Sequence, residues 1–300
     1  MSLKFAGSGF TSAVVVIAAA VWGLYWIPLR LLQEQGVAGD SAVALLHIPA
    51  LLPLMLVVAL QWKLHRGHWG KILLIGLFTG LGIALYSSGV VYSSVVRATL
   101  LFYLTPVWAT IIEILWFKEK ADWSRWLAVA GGLAGMALML SGNESVQLNI
   151  GDVLALLSGI FWAIGAAMIK RFDTVPIAGL ALGQFAFTVF TVLLIGSLMG
   201  SESHFQITQV VSVLPVISLI SILIFLPVVL AIIWAQKFIN PGRVGLLMMS
   251  EVLVAVVSAS LLLPQERMTI IEYCGAALII GACLFEVLST PKPKELLASC

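Results

Sequence analysis

Residues 93–120 read SSVVRATLLFYLTPVWATIIEILWFKEK. The run is apolar enough to cross a bilayer. It carries Arg97 near its start, Pro106 near its middle and Lys118-Glu119-Lys120 at its end. At 100° per residue, Thr99, Tyr103, Pro106, Thr110 and Glu113 fall on one side of a helix. Lipid offers a polar stripe no partner, so that side must face protein or a water-filled path. The stretch predicts a membrane helix that forms one wall of a cavity.

The rest of the chain has the same character. Hydrophobic residues make up 61% of the 300 and charged residues 10%, whereas a soluble domain carries roughly 25% charged residues. A span needs about 20 apolar residues. Runs of that kind lie at 11–32, 40–62, 71–91, 94–117, 124–141, 152–170, 176–199, 210–236, 241–263 and 270–289. The first follows Lys4 and passes through Ala18-Ala19-Ala20, which imitates a signal-peptidase site. It continues to about Leu32 and is expected to be an uncleaved first span. The longest breaks, near 142–151 and 200–209, carry no Lys or Arg. With a cytoplasmic N-terminus, Lys4, Lys63, Arg66, Lys71, Lys118, Lys120, Arg125, Lys170, Arg171, Lys237, Arg243, Lys292 and Lys294 fall inside. Only Arg30, Arg97 and Arg267 fall outside, which accounts for all 16. That bias sets both termini in the cytoplasm. Cys274 and Cys283 are too far apart on one helix for a disulfide, Cys300 lies in the tail, and no metal framework is seen.

Two segments repeat. VWGLYWIPLR at 21–30 resembles FWAIGAAMIK at 161–170, pairing Trp22 with Trp162 and Arg30 with Lys170. The segment ending at Glu119 resembles the one ending at Glu266. In each, a helix, a Glu-containing turn and a Gly-rich helix follow one another, with Gly131, Gly132 and Gly135 in the first copy and Gly275 and Gly281 in the second. The expected fold is an all-α membrane protein of ten transmembrane helices in two five-helix halves, 1–142 and 143–300, forming one integrated domain. Five is odd, so the halves are inverted, the architecture of alternating-access transporters with a substrate site near the midplane.

RATLLFYLTPVWATIIEILWFKEK followed by RWLAVAGGLAG closely resembles the fourth and fifth helices of the drug/metabolite transporter superfamily. The Trp-Gly pair of the first span and SEVLVAVVSASLLLPQERMTIIEYCGAALIIGA in the second half fit the same pattern. Within the superfamily the chain is most similar to bacterial inner-membrane exporters of aromatic amino acids. The resemblance implies a basket of two interleaved inverted repeats, export of small metabolites and residence in the bacterial inner membrane. One departure stands out. Many members carry a Pro in the ninth helix where this chain has Leu253, so the Pro106 kink has no evident counterpart there.

Six residues are candidates for the substrate site: Trp22, Tyr86, Thr99, Tyr103, Trp162 and Glu251. Trp22 and Trp162 lie about ten residues into their spans, roughly 15 Å deep. Membrane Trp prefers the interfaces, so two central ones suggest an aromatic lining; helix packing is the alternative. Trp26 lies nearer the outside, as an interface or gate residue. Tyr103 shares the polar stripe with Thr99 and Thr110. One of Tyr86, Ser87 and Ser88 should face inward. Glu251 is the only acid near the middle of a span, and a carboxyl there is expensive to ionise. It reads as a proton-coupling group, a partner for a substrate ammonium, or a neutral structural hydrogen-bonder. Glu113 and Glu286 near cytoplasmic ends are expected to be solvated or paired with Lys, Glu119 and Glu266 to be turn residues, and Arg97 to snorkel outward. His47 reads as a structural hydrogen-bonder. Pro28, Pro49, Pro53, Pro106, Pro215 and Pro227, with Gly76, Gly80 and Gly82, are expected to break several spans. Pro106 and Pro227 are candidate hinges, with static kinks as the alternative.

This chemistry bounds the function. A polyanion would need several deep cations, and none is present. An aromatic or apolar molecule with at most one ammonium fits better. No phosphate-binding loop and no paired catalytic groups are found, so neither ATP hydrolysis nor an intramembrane enzyme is expected. No cofactor and no nucleic-acid partner are expected either. A channel or receptor would not need inverted halves. The expected partners are a small-molecule substrate, the lipid bilayer and, through Glu251, protons. The expected function is export of small amphiphiles, aromatic and other neutral amino acids by resemblance. The runner-up is a broader drug or metabolite exporter of the same fold.

Overall fold

The computed structural model describes residues 8–37, 39–118, 123–140, 148–200, 207–262 and 269–289. Lys4, Glu119, Lys120, Glu266, Arg267, Lys292, Lys294 and Cys300 lie outside them, as do the side chains of Cys283 and Glu286. The described residues are helical throughout. The helices are α1 Ser8–Trp22, α2 Trp26–Glu34, α3 Gly39–Leu60, the short α4 Trp62–His65 and α5 Trp69–Tyr92. Next come α6 Val95–Phe102, α7 Thr105–Ile112, α8 Trp123–Leu140, α9 Ile150–Arg171 and α10 Ile177–Leu198. The last are α11 Ile207–Ile220, α12 Leu226–Gln236, α13 Pro241–Met248, α14 Ser250–Leu262 and α15 Ile270–Ser289. Wider π-type turns at Glu113–Phe117 and Ser221–Phe225 extend α7 and join α11 to α12.

Among the described residues, seven helical stretches are long and apolar enough to cross a membrane: Gly9–Glu34, Gly39–Leu60, Trp69–Tyr92, Ile150–Arg171, Ile177–Leu198, Thr208–Gln236 and Pro241–Leu262. Shorter apolar helices cover Thr105–Phe117 and Ile270–Ala282. Side chains such as Leu52, Phe190 and Leu223 point outward, each more than 60% exposed. An apolar exterior of this extent belongs against lipid tails. The chain is a multi-pass membrane protein.

The helices pack in defined pairs. α5 runs along α9 and α10; α10 also lies on α3, and α8 on α15. α1 contacts α12, α13 and α14, α9 contacts α6 and α7, and α13 contacts α7. Gly76, Gly80 and Gly82 do not interrupt α5, contrary to expectation. They bring it against α10 and α9. A Cβ at Gly82 would lie 2.9 Å from Cβ of Trp162, so only glycine permits this approach. Pro49, Pro53 and Pro215 likewise sit inside continuous helices. Pro28 and Pro106 fall in the first turns of α2 and α7, where the missing N–H costs little, while Pro227 follows the π-type turn at Ser221–Phe225 inside a continuous stretch.

Three helical stretches are broken. The first breaks at Gly23–Tyr25, where the chain turns through Tyr25 N–H to Trp22 O at 2.8 Å. The second breaks at Tyr103–Leu104 and the third at Met249. The third corrects the expectation that Leu253 leaves the ninth predicted span without a counterpart to the Pro106 region. A hydroxyl does the work of proline there: Ser250 Oγ donates to Leu247 O at 3.0 Å, and Val252 N–H bonds Met249 O instead of Met248 O.

Buried ion pairs fix two ends of this architecture. Arg97 does not snorkel outward; its guanidinium pairs with Asp152, which also accepts Ser93 Oγ at 2.7 Å and caps α9. Glu113 is 1% exposed, so it is not solvated. It pairs with Arg125 rather than with a lysine, and its Oε1 accepts the Gly242 N–H at 3.0 Å, holding the start of α13.

Candidate functional site

The three breaks converge. A Cβ on Gly23 would lie 2.6 Å from the backbone oxygen of Glu251, so the first break and the third meet backbone to backbone. The second reaches across to both sides of the third through Tyr103. Its hydroxyl stands 2.6 Å from Met248 O and 2.6 Å from Glu251 Oε2. Four of the six candidate residues, Trp22, Tyr86, Trp162 and Glu251, line one central cavity at this junction. Thr99 and Tyr103 stand behind the wall. Thr99 Oγ1 shares a 3.1 Å hydrogen bond with the Tyr86 hydroxyl, and Tyr103 holds Glu251.

Each wall has a local reason. Trp22 ends α1 and its indole stacks on Tyr25, with ring centres 5.1 Å apart and 4° between planes, while Phe225 meets both edge-on. Tyr25 is tethered by its hydroxyl to Ser87 Oγ at 3.1 Å. Trp162 is held over Gly82 and meets Phe102 edge-on at 6.3 Å. Tyr86 is the one of its trio that faces the cavity. Ser87 bonds Tyr25, and Ser88 donates to Asp40 Oδ1 at 2.7 Å. Trp26, placed by sequence at an interface or gate, is buried and donates to Ser258 Oγ at 3.0 Å. His47 bonds Val43 O at 2.8 Å and packs on Tyr25 and Phe185, as a structural residue does. Pro106 is buried beside Gly245, while Pro227 faces the lipid side.

The cavity also takes Thr79, Phe102, Gln184, Gln236 and Met248, which the sequence reading passed over. Gln184 and Gln236 carried the signal that singled out Glu251, a polar side chain in an apolar run. Thr79 hides its hydroxyl on Ile75 O at 2.9 Å. No Lys, Arg or His lines the space. Glu251 is fully buried, and its Oε1 makes no hydrogen bond. The free space is about 20 Å³, room for about one water. The walls are therefore drawn together here. Among the described residues, no group of three His, Cys, Asp or Glu side chains could hold a metal ion.

Membrane helices with broken segments thus pack around a buried, largely aromatic centre. The chain belongs to the EamA-like transporter family, whose sequence profile matches residues 10–141 and again 149–288. It is similar to a riboflavin transporter of Vibrio cholerae, 26% identical over 128 residues, covering 42% of this chain and 43% of that one. It is also similar to an uncharacterized transporter of Bacillus subtilis, 21% identical over 175 residues, 52% of this chain and 56% of the relative. The chain thus spans about half the length of the curated relatives it matches. A crystal structure 17% identical in sequence superposes with a TM-score of 0.66, over 93% of this chain and 97% of its own, and shares the fold.

Proposed function

We propose that the protein is a secondary transporter that exports small neutral amphiphiles with an aromatic ring, aromatic amino acids first among them, by alternating access. Its ten spans would form two inverted halves in the bacterial inner membrane, with both termini cytoplasmic. The double match of the family profile supports the two halves. So does the packing. With five spans in each half, exchanging the halves turns the α5–α9 pair into α12–α1, and the α6–α9 pair into α13–α1. The α3–α10 and α8–α15 pairs map onto themselves. The contacts of the bundle survive that exchange, as two similar halves require. The breaks at Tyr103–Leu104 and Met249 correspond under it as well.

The observation that carries the substrate reading is that Trp22 and Trp162, one from each half, face the same space as Glu251, with no cation beside them. Indole and phenol rings stack well on aromatic solutes. A buried acceptor oxygen suits an ammonium, and ends of broken helices suit a carboxylate. The riboflavin transporter among the relatives favours a second reading on the same walls, a larger planar heteroaromatic solute.

Uptake of radiolabelled tryptophan, phenylalanine and threonine into proteoliposomes tests this. Saturable flux of the aromatic pair, reduced at least tenfold by Trp162→Ala, is expected. Saturable uptake of labelled riboflavin, with none for the three amino acids, would move the substrate to the second reading. No saturable flux of any of these would overturn both.

A further inference from the structure

The Tyr103 hydroxyl presents a proton count that does not close if Glu251 is ionised. It stands 2.6 Å from two oxygens at once, the Met248 carbonyl and Glu251 Oε2. A phenol carries one hydrogen, and a carbonyl only accepts. Two contacts this short need a proton each. Met248 O has lost its helical donor, because Val252 N–H turns to Met249 O at the break. The Tyr103 hydrogen therefore belongs to Met248, and the second proton must sit on the carboxyl. We infer that Glu251 is a neutral carboxylic acid in this closed form, donating from Oε2 to the Tyr103 oxygen, and that the site is a proton-binding site emptied when the breaks part.

The surroundings agree. Glu251 is fully buried and the cavity beside it holds no cation to balance a charge. A lone carboxylate there is costly. The titratable groups facing it are Tyr103 from the α6–α7 junction and Tyr86 from α5. The other elements packed around it present Trp22, Trp162 and Gln236, which do not titrate. When α13–α14 separates from the α6–α7 junction, water reaches the acid and the Oε2–H bond breaks. The proton passes to water, and a carboxylate is left. Oε1, which makes no close hydrogen bond in the closed form, then offers an entering cation a second oxygen beside the Tyr86 hydroxyl. No other bond changes. One proton would leave for each substrate ammonium that takes its place. This last step rests on the transport reading above; the neutral acid does not.

Infrared difference spectroscopy on the full chain in lipid nanodiscs tests the neutral acid without any substrate. Wild type minus Glu251→Gln should show the carbonyl stretch of a protonated carboxylic acid at neutral pH. Tyr103→Phe, which removes the acceptor, should shift that band. Glu251→Gln should also keep the wild-type thermal midpoint at neutral pH, because an amide N–H replaces the acid O–H towards Tyr103. A difference spectrum at neutral pH that shows only carboxylate, with both proteins folded by circular dichroism, overturns the inference. In proteoliposomes, tryptophan flux that follows a pH gradient in wild type and ignores it in Glu251→Gln supports the exchange step. Wild-type tryptophan flux indifferent to the gradient overturns that step. The protonated band without any tryptophan flux upholds the proton site and counts against the amino-acid reading alone.

Discussion

Replacing Tyr103 by Phe takes one oxygen from the centre of the bundle and strands two groups. Met248 O loses its hydrogen bond and Glu251 Oε2 loses its partner, both in a fully buried place. Leaving such groups unsatisfied costs about 1–3 kcal/mol. Tyr103→Phe should therefore lower the thermal midpoint in detergent, whereas Thr99→Val, which takes one partner from the Tyr86 hydroxyl and leaves it Glu251, should lower it less. Equal midpoints for Tyr103→Phe and wild type would show that the Tyr103 bonds carry no net stability. Trp22, Trp162 and Glu251 were legible as cavity-lining residues because each breaks a rule of lipid-facing sequence, an aromatic or an acid at mid-depth, whereas Tyr86 was one of three that the sequence alone could not separate. Gln184 and Gln236 break the same rule less loudly. Thr99 and Tyr103 were found on the polar stripe, yet a stripe cannot tell a lining residue from one that holds the lining. That distinction depends on which neighbour takes the hydroxyl.

The α6–α7 stretch is held at its start by Arg97 on Asp152 and runs on to Glu113, which holds the start of α13. Asp152 is nearly buried and caps α9 as well, so removing Arg97 leaves a buried carboxylate. Breaking a buried pair costs about 3–5 kcal/mol. Arg97→Ala should destabilise strongly, and adding Asp152→Asn should recover part of the loss; a double-mutant cycle on thermal stability reads this, with additive effects counting against coupling. Pro106 begins α7 just after the break, where it prevents the two segments from fusing. Pro106→Ala should let the helix run on through Tyr103–Leu104 and slow transport at least severalfold while the folded protein stays detectable. Unchanged flux would make the break a static kink. The proline-marked break was legible in the sequence. The break at Met249 was not, because it depends on the Ser250 and Tyr103 hydroxyls, and Tyr103 lies 146 residues away in the chain. Arg97 and Glu113 were misread for a related reason. Their partners, Asp152 and Arg125, come from other helices, and a span read alone shows only the way out to water.

Over the whole molecule, the apolar runs were the clearest text. Lipid permits only helices and closed barrels, and a helix long enough to span it leaves a run too long to mistake. The pairing of those helices was less legible, since glycines such as Gly76 and Gly82 read equally as breakers or as contacts. The cation census predicts which ends of the bundle share the cytoplasmic side. A single reporter cysteine replacing Lys63 should react with a membrane-impermeant maleimide only after the cytoplasmic face is opened, and one replacing Arg30 should react in intact cells. The reverse pattern would invert the whole orientation and turn export into import.

Lys118 closes the π-type turn after Glu113 with φ at 55°, the one positive value among the described non-glycine residues. A side chain in that backbone conformation costs roughly 1–2 kcal/mol that glycine would not. Yet on the proposed orientation Lys118 is also one of the cations that keep its loop on the cytoplasmic side. The residue that would make the finished protein sturdiest and the residue that guides the nascent chain are different residues. At this turn the sequence sides with assembly over endurance.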